Sequence, residues 1–265
     1  MLSLDQVTIE ARLRTSLLGR PLICLASVES TQDVVRAAAR DGAAEGLAVA
    51  AGEQTAGKGR SGRSWWSPPA GGLYLSLLLR PDLPGEQVPW ITMALALGAA
   101  EAIEQVCGLS VDIKWPNDLQ WQGRKLAGVL AEGAFTGGRL DYVVAGIGLN
   151  VAIDFRDQPE LARSAVSLDE AAGRPVDTVE LLAALLEHTE QRYLAIRAGH
   201  SPLAAWQARL HTLGHAVSAR AAGGQIYHGV ASAVLPDGAL RIELDGGGSA
   251  VVRASDVSLR ERLTG

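Results

Sequence analysis

Three stretches concentrate the residues able to do chemistry. Lys58, Arg60 and Arg63 stand among glycines in GEQTAGKGRSGRSWW (52–66). Lys114, Trp115, Pro116, Asn117 and Asp118 put a cation, an amide and a carboxylate side by side, and Lys125 precedes the apolar run LAGVLAE. Guanidinium groups bond carboxylate or phosphate oxygens in pairs, and glycine lets a backbone come close, so the first stretch suits an anionic ligand. It spells two phosphate motifs and satisfies neither. A P-loop needs Ser or Thr after its lysine and a helix behind it, but Gly59 follows Lys58 and the next residues, with two glycines and two prolines, open no helix. The dinucleotide fingerprint needs a helix in the same place.

Each stretch also has a plainer interpretation. The basic loop could be flexible and solvated. Trp65 and Trp66 could stack on a base or anchor the loop in the core. KWPND could be a polar turn, although Asn can pair with an adenine edge and Asp can hold Mg²⁺. Lys125 could blunt a sheet edge. Gly146 and Gly148 interrupt the apolar run VVAGIGLNV, which implies a bulge or a ligand against the backbone.

The elements that must position these residues alternate strand and helix signals. Residues 5–18 predict an amphipathic helix, then a strand PLICLASVE. Ser30 caps a helix through STQDVVRAAAR that Gly42 ends. GLAVAAGEQ and GLYLSLLLR read as strands, Trp90–Val106 as a long apolar helix stopped by Gly108, and VDIKWPND as a strand entering a Pro-broken loop. KLAGVLAEGAF and LDYVVAGIGLNV form two more strands around a turn at Thr136–Gly138, and a sheet edge is expected near GLNV. Asp177 and Glu180 suggest a capping box for a helix to about Ile196, with Leu182, Leu186, Tyr193 and Ile196 on one stripe. From Gly214 short strands and turns at AAGG, PDG and DGGG predict a separate small β-barrel. The irregular cadence favours α+β, with domains at 1–213 and 214–265.

A net charge of −5 among 265 residues, with 20% charged and 48% hydrophobic, offers no general field for nucleic acid or anionic membrane. The N-terminus has no signal-peptide apolar region and no apolar run approaches the ~20 residues of a membrane span, so a cytoplasmic location is expected. Cys24 and Cys107 lie in apolar contexts that suit reduced thiols.

Together, EST (29–31), EQTAGKGRSGRSWWSP (53–68), GLYLS (72–76), KWPND (114–118), RKLAGVLAE (124–132) and GIGLNV (146–151) make the chain resemble the biotin protein ligases from Glu29 to the C-terminus. The resemblance implies a class II aminoacyl-tRNA synthetase-like biotin/lipoate ligase fold, a mixed central sheet flanked by helices with a C-terminal SH3-like β-barrel. It implies formation of biotinyl-5′-AMP from biotin and ATP with Mg²⁺, then transfer to a lysine of a biotin carboxyl carrier domain of a biotin-dependent carboxylase. It assigns biotin to Ser30, Thr31, Gln32, Gln54, Lys58, Gly59, Arg60, Lys125, Gly128, Gly146 and Gly148. The nucleotide falls to Arg60, Arg63, Trp65, Asn117 and Asn150, the metal to Asp118, and the catalytic charge to Lys125 and Arg60. No enzyme nucleophile is required, so the five histidines are read as structural.

Two departures from the family pattern stand out: Lys58 where an Arg is common, and Gln32 where many members have Asn. Only one helix and one strand are expected before Glu29, which leaves no room there for a repressor helix-turn-helix and implies a monofunctional ligase. A lipoate or octanoate ligase and a non-catalytic biotin-binding protein are the alternatives. Whether the chain forms a homodimer is left open.

Overall fold

The structure is a computed structural model that describes residues 4–221, 224–253 and 256–259. Helix α1 (Gln6–Arg12) leads to β1 (Leu22–Leu25), α2 (Thr31–Arg40), β2 (Ala48–Ala51), β3 (Gly72–Leu79) and α3 (Val88–Cys107). A run of antiparallel strands follows: β4 (Asp112–Lys114), β5 (Asp118–Trp121), β6 (Arg124–Thr136) and β7 (Arg139–Asn150). Short helices α4 (Pro159–Ala162) and α5 (Leu168–Ala172) precede α6 (Thr178–Arg197) and α7 (Leu203–Ala208). The remaining strands are β8 (Ala216–Arg220), β9 (Ile226–Val234), β10 (Leu240–Leu244), β11 (Ser249–Val252) and β12 (Asp256–Leu259).

The first seven strands form one mixed sheet in the order β1-β2-β3-β7-β6-β5-β4, parallel only between β1 and β2. Side chains alternate across a strand, so β3 and β7 each present two faces. Leu73, Leu75, Leu77 and Leu79 of β3, with Val143, Ala145, Ile147 and Leu149 of β7, meet α3 and α6. Leu78 and Val144 meet Val35 and Ala39 of α2 on the other face. That alternation puts Ser76, Gly146, Gly148 and Asn150 on the α2 side, where there are too few helices to cover the sheet.

Several expectations need correction. The first helix stops at Arg12 rather than Leu18, because Glu190 of α6 captures the backbone N–H groups of Ser16, Leu17 and Leu18 at 2.7–2.8 Å. Burial pushes the Glu190 carboxyl up, but those N–H groups and the Ser16 hydroxyl outweigh it and hold the carboxyl below the ordinary glutamate range. Ser30 precedes α2 without a side-chain cap bond; instead Gln54 Oε1 accepts the Thr31 N–H at 2.9 Å. VDIKWPND does run from a strand, β4, into a Pro-containing turn as expected, and only Asp118 departs from that reading by opening β5. GLNV closes β7, an interior strand paired on both sides, and offers no edge. Asp177 caps α6 through the N–H groups of Val179 and Glu180, without a reciprocal bond from the Glu180 side chain. The segment Gly85–Cys107 is long and apolar enough to cross a membrane, yet most of it is buried against the sheet and α6.

The last five strands form a separate antiparallel sheet in the order β11-β10-β9-β8-β12. It is stitched to the main body: the indole N–H groups of Trp90 and Trp115 donate to the carbonyls of Pro236 and Gly238, and the Gln207 amide to that of Val234. Trp115, expected at a strand end, is fully buried there.

Candidate active site

A cavity of about 1110 Å³ opens on the α2 face of the sheet, ample for a ligand of nucleotide size. All sixteen residues assigned from the resemblance line it.

At the α2 end, Thr31 is fixed by three bonds. Its N–H and hydroxyl both donate to Gln54 Oε1, and its oxygen lies 2.8 Å from Ser76 Oγ. Gln54 Nε2 in turn reaches Ser67. Ser30 Oγ and Gln32 Oε1 are buried without partners, whereas Gln32 Nε2 donates to the Leu130 carbonyl. A buried polar atom left unpaired costs about 1–3 kcal/mol. These two atoms therefore make this end a receptor for a ligand with its own donors and acceptors.

The floor is glycine. Gly128 of β6 pairs with Gly148 of β7, and Leu130 with Gly146. Trp65 lies across the first pair: a Cβ on Gly148 would fall 2.5 Å from its Nε1, and one on Gly128 2.9 Å from its ring. Gly146 makes room for Gln32. The glycines thus admit Trp65 and Gln32 to the slot. Neither tryptophan is a core anchor: Trp66 is partly exposed and tilts against Phe155.

At the far end Lys125 Nζ lies 2.8 Å from Asp118 Oδ1 and 4.9 Å from the centre of the Trp65 ring. Its backbone is held twice, by the strand bridge to Ala165 and by Asn150, whose amide donates to the Lys125 and Val166 carbonyls. Asn150 lines the cavity while its donors serve this brace. Asn117 is similarly occupied, donating to the Val129 carbonyl while its Oδ1 accepts from Arg60 at 3.2 Å. No cluster of three or more metal-ligating side chains occurs among the described residues. Mg²⁺ commonly relies on one or two carboxylates plus substrate phosphates, so the single carboxylate of Asp118 fits an ion brought with a nucleotide.

The loop 57–63 folds over this cavity as a small hairpin. Gly59 N–H donates to the Arg63 carbonyl, Trp65 N–H to that of Gly57, and a short 3₁₀ turn spans Arg60–Gly62. Lys58 points to Asp33, with Nζ 2.6 Å from its carboxylate. Sequence reasoning missed Ser76 and Asp33. Ser76 was findable: in GLYLSLLL it is the one small polar side chain in an otherwise apolar and aromatic strand, on the same face as Tyr74. The role of Asp33 depends on a contact 25 residues away. No histidine lines the cavity.

The biotin/lipoate A/B protein ligase family model matches residues 24–150. The biotin–[acetyl-CoA-carboxylase] ligase of Mycobacterium tuberculosis is 33% identical over 94% of this chain and 94% of its own length. The chain belongs to the biotin protein ligases. The bifunctional ligase/repressor BirA of Bacillus subtilis is 35% identical over 92% of this chain and 76% of its own length. Among solved structures, the biotin protein ligase from Aquifex aeolicus in complex with biotin and ATP superposes with a TM-score of 0.76. It is 29% identical and is matched over 90% of this chain and 99% of that one. As a biotin protein ligase, the chain has a cavity at the position its motifs single out.

Proposed function

We propose that this chain joins biotin to ATP as biotinyl-5′-AMP and passes the biotinyl group to a lysine of a carboxylase carrier domain. The observation that carries this is one cavity with unpaired polar atoms at one end and the Lys125–Asp118 pair at the other. The ureido ring of biotin offers both N–H groups and a carbonyl to Ser30, Thr31, Gln32 and Gln54, whereas the dithiolane of lipoate offers neither.

Lys125 then meets the biotin carboxylate, and the charge that develops on the acyl phosphate, in a site shielded by Trp65. Arg60 adds a guanidinium to the same oxygens. Lys58 and Gly59 close the loop, and Gly128, Gly146 and Gly148 keep the slot open. Arg63, Trp65, Asn117 and Asn150 border the nucleotide. Asp118 would hold Mg²⁺, which when bound offsets the repulsion between triphosphate and carboxylate. In the second step the carrier amine attacks the mixed anhydride and AMP leaves toward the same cations. We assign catalysis to residues 1–213 and a supporting module to 214–265, in a cytoplasmic enzyme.

The test is biotin-dependent exchange of pyrophosphate into ATP, followed by labelling of a purified apo carrier domain. Exchange that responds to lipoate and not to biotin overturns the proposal, and exchange with neither favours a plain binding protein.

A further inference from the structure

We infer that Asp33 is a positioning residue that latches the 57–63 loop shut and so sets how long the adenylate is held. This rests on the reaction proposed above.

The carboxylate of Asp33 stands in the first turn of α2, outside the ligand slot. It takes the Lys58 ammonium at 2.6 Å and the Arg36 guanidinium at 2.5 Å on the same oxygen. Arg36 is itself fixed by Glu132 of β6, also at 2.5 Å. Four charges of alternating sign therefore run from the loop through α2 to the central sheet. Because Arg36 already orients Asp33, forming the contact with Lys58 orders only the lysine side chain.

The loop can transmit that restraint. Its hairpin bonds, Gly59 to Arg63 and Trp65 to Gly57, tie the Lys58 end to Trp65. Trp65 is the residue that lies over Gly128 and Gly148. Holding Lys58 thus holds the lid and the wall of the slot as one body. A lysine suits this geometry because it delivers a compact charge to an oxygen already shared with Arg36.

The measurement is the rate at which preformed biotinyl-5′-AMP leaves the full-length protein, followed by chase at low salt. Asp33→Asn should release it about three- to fivefold faster, the span expected for a partly exposed ion pair. Pyrophosphate exchange should stay within about twofold of the parent, because Asp33 does not touch the reacting atoms. Lys58→Met should give a similar increase, and the double variant no more than either single one. The parent's release rate should climb with ionic strength while that of Asp33→Asn stays nearly flat. An unchanged release rate in Asp33→Asn, or effects of the two variants that multiply, overturns the latch. If the parent accumulates no adenylate at all, both the latch and the proposed reaction fall.

Discussion

Asp118→Asn should have opposite effects on the two halves of the first step. The Lys125 ammonium is ion-paired with Asp118 at 2.8 Å. With an effective dielectric constant of about 20, that separation gives a Coulomb attraction of roughly 6 kcal/mol. Both side chains are partly exposed, and desolvation with side-chain ordering leaves about 1 kcal/mol net. Biotin must displace this pair to reach the ammonium, so removing the carboxylate should tighten binding of biotin alone by about fivefold. Exchange of pyrophosphate should instead fall about 100-fold, since the carboxylate that would carry the metal is gone. Isothermal titration with biotin, in the absence of nucleotide and Mg²⁺, reads the first effect directly. Weaker or unchanged binding in the variant would refute the idea that Asp118 holds Lys125 in reserve.

Lys125→Ala should lower exchange by about 100- to 1000-fold, the usual loss when a charge is removed from a reacting centre; a near-normal rate would remove Lys125 from catalysis. Gly148→Ala places a methyl 2.5 Å from Trp65 Nε1. Adenylate binding should weaken about tenfold or more as the indole is pushed aside, with little change in melting temperature, as read by titration and calorimetry. Glu190→Gln sets an amide donor against backbone N–H groups and should cost about 2–4 kcal/mol, or roughly 5–10 °C in melting temperature. Because the folded Glu190 carboxyl lies below its unfolded value, its stabilisation is full above about pH 4.3 and lost on further acidification. The gap between parent and variant should therefore shrink below about pH 4 in thermal melts. Burial raises the Cys24 thiol to about 11, so alkylation at pH 7.5 should be far slower than for free glutathione.

Much of the fold was legible because its signals are local. Leu73, Leu75, Leu77 and Leu79 repeat every second position, and Gly108 ends α3 with a left-handed backbone, as a helix stop should. The cavity residues were legible through their motifs, since glycines, cations and amides occupy fixed positions in short runs. What stayed hidden depends on partners distant in sequence. Glu190 shortens the first helix from 172–174 residues away, and Gln54 displaces Ser30 as the cap of α2 from 23 residues away. Neither residue carries a local mark of that duty. The same holds for Lys58: its type alone could not tell a ligand contact from a tether, and its partner Asp33 lies 25 residues away.

Trp115 has a consequence for how this protein could be divided or recombined. Its backbone N–H goes to Thr212 and its indole to Gly238, two positions before Asn117 and three before Asp118. A chain ended at residue 213 would leave that indole, the Trp90 indole and the Gln207 amide without their acceptors. The C-terminal sheet is therefore a tension member for the turn that carries Asn117 and Asp118, and cannot be exchanged as an inert appendage. Grafting the corresponding module from a relative should succeed only where the carbonyls at the positions of Val234, Pro236 and Gly238 are presented in the same register.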